Sequence, residues 1–365
     1  MSIALHTAPS LRPLARKLLA LALAATAGLA TAQVGITRWQ VGDLPVTLVY
    51  PSPEPARLTM LGPFELKVAP DALPQPGPLR LVVMSHGTGG SPLSDHALAA
   101  RLAQAGFLVA QPQHAGDNHT DTSRAGPPSW RLRPQEVTRV IDALAADPDW
   151  GPRLQLDRVG VHGMSAGGVT ALALAGAQWR GLDFVRHCQA PFEADPGFCF
   201  AGAADPVARS ARQANFERAR GVPEAFLPVE LTAWQGGRGA DAADPRPDPR
   251  VAAVTLAVPV AAIFSAESLK RVRIPVGVVS AGRDRLLMPA FHSDHVLRHC
   301  TSCTSLAHLA DAGHFDLLAP WPSAVAEATA ARFAQGGSPE PGFQPRERSA
   351  AFDRIAAFFV RELRP

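Results

Sequence analysis

The sequence predicts an α/β fold with a mostly parallel central sheet, flanking helices and an insertion over the active site. Apolar runs that suit buried strands alternate with stretches of helical period. A serine flanked by glycines lies between one such strand and the next helix. Apolar residues make up 47% and charged residues 18% of the 365 residues, which suits a chain with one large core.

The first 32 residues have the pattern of a secretory signal peptide. Basic residues precede an apolar stretch at residues 18–29, and small residues at 30–32 offer a cleavage site before Gln33. The stretch is too short to span a bilayer comfortably, and no second apolar segment of that length follows. We therefore expect a periplasmic or secreted protein, without stable membrane insertion after cleavage, whose residues 33–365 form one domain.

The mature chain opens with short apolar runs separated by proline and glycine, which suit antiparallel strands up to about residue 70. Further along, strands and helices alternate. Strands are predicted at residues 79–84, 107–110, 158–162, 251–258 and 275–279, and helices at residues 98–105, from Pro134 onward, after residue 167 and around 352–359. This alternation implies a mostly parallel sheet whose ligands bind beyond the carboxyl ends of its strands.

Residues 178–249 break the alternation and are rich in Arg, Ala, Asp and Pro. Two interpretations are open: a cap-like insertion over the active site, or a plain surface loop with a proline-rich linker. We adopt the first. The formal net charge is only +3 and the arginines are scattered, so nucleic-acid binding is not predicted.

The chain has four cysteines, Cys188, Cys199, Cys300 and Cys303, and export would bring them into an oxidising compartment. Two disulfides are expected. Of the three connectivities that four cysteines allow, sequence proximity favours Cys188 with Cys199 and Cys300 with Cys303.

A metal site is considered because several ligand types lie close together: His292, Asp294, His295, His299, Cys300 and Cys303. Oxidation of the two cysteines to a disulfide would remove the soft ligands. A helix with histidines on its solvent-exposed face explains why the histidines lie close together. We predict neither a metal nor a cofactor.

The most informative motif is Gly163-Met164-Ser165-Ala166-Gly167, placed between a predicted strand and a predicted helix. A sharp turn there lifts the hydroxyl clear of the sheet, where a base can reach it. Glycines on both sides leave room where strand and helix cross. The amide of Ala166 would face negative charge that develops on a bound carbonyl. Taken alone, these five residues could also form a glycine-rich turn that has no catalytic role.

A general base and its orienting acid are predicted in the order Ser165, Asp284, His314, with the last two just past predicted strands. His314 would take the serine proton, and Asp284 would fix the imidazole tautomer. Residues 84–90 follow another core strand, and the amide of Thr88 is the predicted second oxyanion donor. This turn lacks the ending of a phosphate-binding loop and the spacing of a dinucleotide fingerprint.

Other polar residues receive weaker assignments. His162 lies in a predicted strand and is expected to be a packed core histidine. His114, Asp117, Asn118 and His119 follow a strand end and either line the pocket or form a turn.

These motifs resemble those of secreted α/β hydrolases in the group called predicted dienelactone hydrolases, related to platelet-activating-factor acetylhydrolases and bacterial polyesterases. The resemblance rests on residues 44–46, 82–87, 111–118, 163–168 and 312–316, which are distributed over most of the length of the mature chain. It implies hydrolysis of carboxylic esters through a serine nucleophile. Met164 departs from the group, which usually carries histidine before the serine, and true dienelactone hydrolases use cysteine, so the group name does not give the substrate.

The resulting expectation is a monomeric serine esterase that acts on small or short-chain esters through an acyl-enzyme. Two alternatives stay open. One is a lipase-like or phospholipid acetyl-ester hydrolase, and the other is a non-catalytic binding protein with the same fold.

Overall fold

A computed structural model describes residues 33–189, 194–201, 205–218, 247–318, 320–333 and 335–364. The expected signal peptide, residues 1–32, lies outside the described residues. Gln33–Pro365 forms one compact unit. Within the described ranges, no helix has both the length and the apolar character needed to cross a membrane.

The described residues contain ten strands in one sheet. The strands are β1 (Gln33–Val41), β2 (Leu44–Ser52), β3 (Arg57–Leu61), β4 (Phe64–Pro70), β5 (Leu79–Ser85), β6 (Phe107–Pro112), β7 (Leu154–Met164), β8 (Val251–Ala257), β9 (Val276–Ala281) and β10 (Cys303–Leu309). Their spatial order is β10-β9-β8-β7-β5-β6-β2-β1-β4-β3. The first six strands in this spatial order, β10-β9-β8-β7-β5-β6, pair in parallel with their neighbours. The pairs β2 with β6, β1 with β2 and β3 with β4 are antiparallel, and β1 with β4 is parallel.

Helices pack against both faces of the sheet. They are α1 (His96–Gln104), α2 (Pro127–Ala146), α3 (Gly167–Leu174), α4 (Gly181–Gln189), α5 (Pro196–Cys199), α6 (Pro206–Arg218), α7 (Ala266–Leu269), α8 (Ser293–His299), α9 (Ser323–Arg332) and α10 (Pro345–Glu362). The pleat of β5 divides the core: Leu81 and Val83 face a cluster built with α2 and α3, whereas Val82 faces a cluster built with α1 and α10. The predicted mostly parallel sheet with helices on both sides is confirmed.

The predicted start of α2 at Pro134 is wrong. The helix begins at Pro127, and Pro134 lies inside it. The prolines at 127 and 128 occupy the first helical turn, where the missing N–H groups would have no partner within the helix. Pro134 therefore marks no boundary, although it removes one hydrogen bond from the helix interior.

In the described part of the segment predicted as an insertion, three helices, α4 to α6, lie between α3 and β8. A disulfide joins Cys188 at the end of α4 to Cys199 at the end of α5. A second joins Cys300, just after α8, to Cys303 at the start of β10. This is the pairing that sequence proximity favours. Residues 219–246 of the predicted insertion lie outside the described residues.

Candidate active site

Ser165 occupies the sharp turn between β7 and α3, and its backbone adopts a left-handed conformation with φ of 55°. A side chain at Gly163 would collide with the carbonyl of Gly167, and one at Gly167 would collide with the carbonyl of Ser85. The flanking glycines are therefore needed for close backbone approach, as the sequence motif predicts. The strained serine is held in place by the structure around it.

Strand β8 and the residues that follow it hold the turn from one side. The amide of Ser165 donates to the carbonyl of Ala257 over 3.0 Å, and its own carbonyl accepts from the amide of Val260 over 2.9 Å. The amide of Gly168 also donates to the Ser165 carbonyl, over 2.8 Å. With its backbone fixed by these bonds, the side chain of Ser165 projects beyond the end of β7.

The predicted serine, histidine and aspartate come together at this edge of the sheet. Nε2 of His314 lies 3.0 Å from Oγ of Ser165, and Nδ1 of His314 lies 2.7 Å from Oδ2 of Asp284. An ionised carboxylate only accepts hydrogen bonds, so Nδ1 carries the proton and Nε2 is left as an acceptor for the serine hydroxyl. These contacts match the arrangement that the predicted nucleophile, base and orienting acid would need.

The other oxygen of Asp284 is fixed by the main chain. Oδ1 accepts from the amides of Leu286 and Leu287, over 2.9 and 2.8 Å. Both Asp284 and His314 are buried, at 2% and 3% exposure. Because the carboxylate is held from behind by two amides, Oδ2 has little freedom to leave the imidazole.

The two residues predicted to supply oxyanion donors flank Ser165. Ala166 follows Ser165 directly, and Thr88 follows Gly87, where an added Cβ would lie 3.1 Å from Cβ of Ser165. Thr88 also borders the cavity in front of the serine. Neither the amide of Thr88 nor that of Ala166 has a protein acceptor among the described residues, so both are available to a ligand oxygen.

Ser165 and His314 open into a cavity of about 1220 Å³. Its wall includes Phe184, Phe198 and Arg212 from α4 to α6, and Phe315 and Trp321 from the region after β10. The described part of the segment predicted as a cap thus forms a wall of the cavity. Most of the cavity lining is apolar, which suits the burial of an apolar ligand.

A buried carboxylate anchors the inserted helices to the rest of the domain. Oδ2 of Asp195 lies 2.8 Å from Nε2 of His187 and 3.0 Å from Nε2 of His292. Burial alone would raise the pKa of Asp195, but hydrogen bonds from His187 and His292 lower it to about 2. The aromatic ring of Phe198, three residues on, lies 5.0 Å from the ring of His292.

Four of the six residues considered as metal ligands are bound to other groups. Nδ1 of His292 accepts from the amide of Ala261 over 3.0 Å, Nε2 of His295 bonds the carbonyl of Phe264 over 2.8 Å, and Cys300 and Cys303 form a disulfide. Among the described residues, no group of three or more His, Cys, Asp or Glu side chains is placed to hold a metal ion.

Of the polar residues that follow β6, some are buried and one lies at the cavity. His119 lines the cavity, whereas His114, Asp117 and Asn118 are buried behind it. His162 is a buried residue of β7, as expected, and Nδ1 of its ring lies 2.8 Å from the Thr255 hydroxyl.

His114 belongs to a second serine–histidine–carboxylate array, which the sequence did not predict. Nε2 of His114 lies 2.8 Å from Oγ of Ser85, and Nδ1 lies 2.6 Å from Oε2 of Glu136. Burial and the nearby charge of Arg133 hold the pKa of His114 well below its usual value. None of the three borders the cavity, so this array connects β5 to α2 without reaching a ligand.

Arg133 and Glu136 were also missed as residues behind the site, although the sequence contains a signal. Arg133 occupies the same face of α2 as Val137 and Val140, at helical spacing. A charged side chain on an apolar helix face needs buried partners, and this pattern points to a polar contact inside the domain.

No protein-family model and no curated protein matches the sequence. Among solved structures, a ferulic acid esterase from Streptomyces cinnamoneus is similar, with 19% identity, 93% of each chain covered and a TM-score of 0.56. A dienelactone hydrolase from Anabaena variabilis shares 16% identity over 92% of this chain and 100% of that one, with a TM-score of 0.47. Identities this low are evidence for architecture alone. The likeness to the esterase, together with the sheet order and the helices on both faces, shows that this chain has the α/β-hydrolase fold.

Proposed function

We propose that the protein is a serine ester hydrolase that cleaves small or short-chain carboxylic esters through an acyl-enzyme. The observation that supports this most strongly is the continuous contact from Asp284 through His314 to Ser165, over 2.7 and 3.0 Å, at the wall of a largely apolar cavity. These distances support the proposed roles of Ser165 as nucleophile, His314 as base and Asp284 as orienting acid.

In the proposed reaction, Oγ of Ser165 attacks the ester carbonyl while Nε2 of His314 takes its proton. The carbonyl oxygen becomes an oxyanion that the amides of Thr88 and Ala166 receive. His314 then gives the proton to the leaving alcohol, and the acyl group stays on the serine. Water, deprotonated by His314, attacks the acyl-enzyme, and the acid leaves as the serine regains its proton.

The test is turnover of p-nitrophenyl acetate and butyrate by purified mature protein. We expect activity in the wild type and in Ser349→Ala, a control at an exposed hydroxyl on α10, and a loss of at least about 10³-fold in Ser165→Ala. Activity of Ser165→Ala at the wild-type level would exclude this mechanism.

Two further measurements separate the alternatives. A preference for long acyl chains or for acetylated phospholipids would favour the lipase-like alternative, and methyl ferulate belongs in the panel because a ferulic acid esterase has a similar structure. A folded protein that fails to react with a fluorophosphonate probe would favour the binding-protein alternative.

Export and oligomeric state are part of the same proposal. Expression of the full chain in a bacterial host is expected to give a periplasmic protein whose N-terminal residue is Gln33, and light scattering is expected to give the mass of a monomer. A cytoplasmic product that keeps residues 1–32 would contradict the export proposal.

A further inference from the structure

A buried ion pair lies directly behind the backbone turn that follows β5. We call residues 86–90 the oxyanion loop. Arg133 of α2 is fully buried, and its Nη2 lies 2.7 Å from Oδ2 of Asp117. The pair does not border the cavity, so neither side chain contacts a ligand there.

Both members of the pair bind main-chain atoms of the oxyanion loop. Nη1 of Arg133 donates to the carbonyl of His86 over 2.5 Å, and Nη2 is 3.4 Å from the carbonyl of Gly87. Oδ1 of Asp117 accepts from the amide of Gly89 over 2.9 Å. Ser129 supports the carboxylate by donating its hydroxyl to Oδ2 over 2.8 Å.

These contacts set the direction of the peptide planes in the loop. The described chain has no cis peptide bond, so each carbonyl points opposite to the N–H of the next residue. The carbonyl of Gly87 is also bound by Nδ1 of His86 and by the amide of Gly90, over 2.8 and 3.1 Å. With this carbonyl held on the buried side, the N–H of Thr88 points away from it, and Thr88 is the residue that borders the cavity.

A buried ion pair is expensive to desolvate, and replacing it with apolar side chains is often neutral for stability. Stability alone therefore does not explain why this ion pair lies behind a glycine-rich turn. Glycines leave the backbone free to rotate, and an oxyanion donor is effective only when its direction is fixed before the reaction begins. Arg133 and Asp117 supply that fixation from residues outside the loop.

We propose that Arg133 and Asp117 form a positioning pair that holds the Thr88 amide in line with the oxyanion of the transition state. This inference rests on the proposed function. The pair is expected to affect the chemical step, because it acts through the Thr88 amide, and to have little effect on ground-state substrate binding.

The experiment compares Arg133→Met, Arg133→Lys and Asp117→Asn with the wild type. A matched control is Arg158→Met, because Arg158 also donates to a main-chain carbonyl, that of Glu362 over 2.6 Å, but lies near the middle of β7, seven residues before Ser165. Each variant is measured for kcat, KM, thermal stability and the inhibition constant of a trifluoromethyl ketone. Such a ketone adds Oγ of Ser165 to its carbonyl carbon while the serine proton passes to His314, and the resulting alkoxide imitates the transition state.

We expect Arg133→Met to lose about 10²- to 10³-fold in kcat, as for loss of one oxyanion donor, with KM within about threefold of the wild type. The inhibition constant of the ketone rises in parallel with the loss of kcat. Arg133→Lys recovers part of the activity because an ammonium can reach one of the two carbonyls, and Asp117→Asn loses at least about tenfold. Arg158→Met loses stability and keeps kcat.

A folded Arg133→Met with wild-type kcat and ketone inhibition would overturn the inference, and so would a rise in KM alone. If Arg133→Met does not fold, Asp117→Asn decides: wild-type kcat and ketone inhibition in that variant overturn it. Failure of the proposed function gives a different result, namely no ester hydrolysis by the wild type or full activity in Ser165→Ala, and the inference then fails with it.

Discussion

Replacing Asp284 with asparagine tests the orienting acid without changing its shape. Oδ2 of Asp284 accepts from His314 over 2.7 Å, while Oδ1 accepts from the amides of Leu286 and Leu287. Asparagine has one acceptor oxygen and one NH₂ group. If its oxygen faced His314, the NH₂ would point at two amide donors and leave both without an acceptor.

The asparagine oxygen is therefore expected to keep the two amides, and its NH₂ to face Nδ1 of His314. Leaving the two amides without an acceptor would cost about 2–6 kcal/mol, at 1–3 kcal/mol each. The orientation that keeps both amides bonded loses only the acceptor for Nδ1 of His314, which costs less. An NH₂ donor at Nδ1 moves the ring proton to Nε2, so the imidazole no longer accepts the proton of Ser165. The expected loss in kcat is about 10³- to 10⁴-fold, with the fold intact.

The assay is hydrolysis of p-nitrophenyl butyrate, with circular dichroism and thermal unfolding as checks on the fold. Asp248→Asn is the matched control, because Asp248 is also buried but pairs with Arg250, just before β8, over 2.7 Å. It is expected to lose stability and keep kcat. A folded Asp284→Asn with less than a tenfold loss in kcat would refute the proposed role of Asp284.

Three further predictions concern stability. Ser165→Gly should be more stable than Ser165→Ala by about 1 kcal/mol in urea unfolding, because glycine tolerates the φ of 55° at the turn; equal stabilities would mean that the turn is not strained. Burial raises the pKa of Asp95 from 3.8 to about 7, so between these values the folded state keeps a proton that the unfolded state releases, and stability falls as the pH rises. Asp95→Asn should therefore gain on the wild type by about 1.4 kcal/mol per pH unit from about pH 4 to pH 7 and level off above, whereas a difference independent of pH would contradict the shift. Removal of the Cys188–Cys199 disulfide, which spans 11 residues in sequence, by alanine substitution should lower stability by about 3 kcal/mol, and an unchanged urea midpoint would show that the disulfide does not contribute.

The candidate catalytic residues were predictable because parallel strands end at the same edge of a sheet. Ser165, Asp284 and His314 each follow a strand of the parallel part of the sheet, β7, β9 or β10, so chain order was enough to bring them together. The contribution of α4 to α6 to the cavity wall was less predictable, since composition does not reveal which side chains of a long insertion face inward. Phe198, for example, stacks on Trp130 with ring planes 12° apart.

The Arg133–Asp117 pair was missed for a different reason. The main targets of Arg133 are backbone carbonyls, and the carbonyl of His86 lies 47 positions away in sequence. Backbone acceptors have no residue-type signature, so only the apolar face around Arg133 indicated a buried partner. The start of α2 is hard to predict because Pro134 has the character of a first helical residue, whereas the helix in fact opens with the prolines at 127 and 128.

The most direct test of the proposed mechanism is the rate and site of covalent labelling by a fluorophosphonate. Mass spectrometry of the labelled, digested protein should place one adduct on Ser165, with the fluoride displaced and the serine proton taken by His314. His314→Ala should label at least about 10³-fold more slowly. An adduct on another residue, or equal labelling rates in the wild type and His314→Ala, would show that these side chains do not work as a catalytic unit.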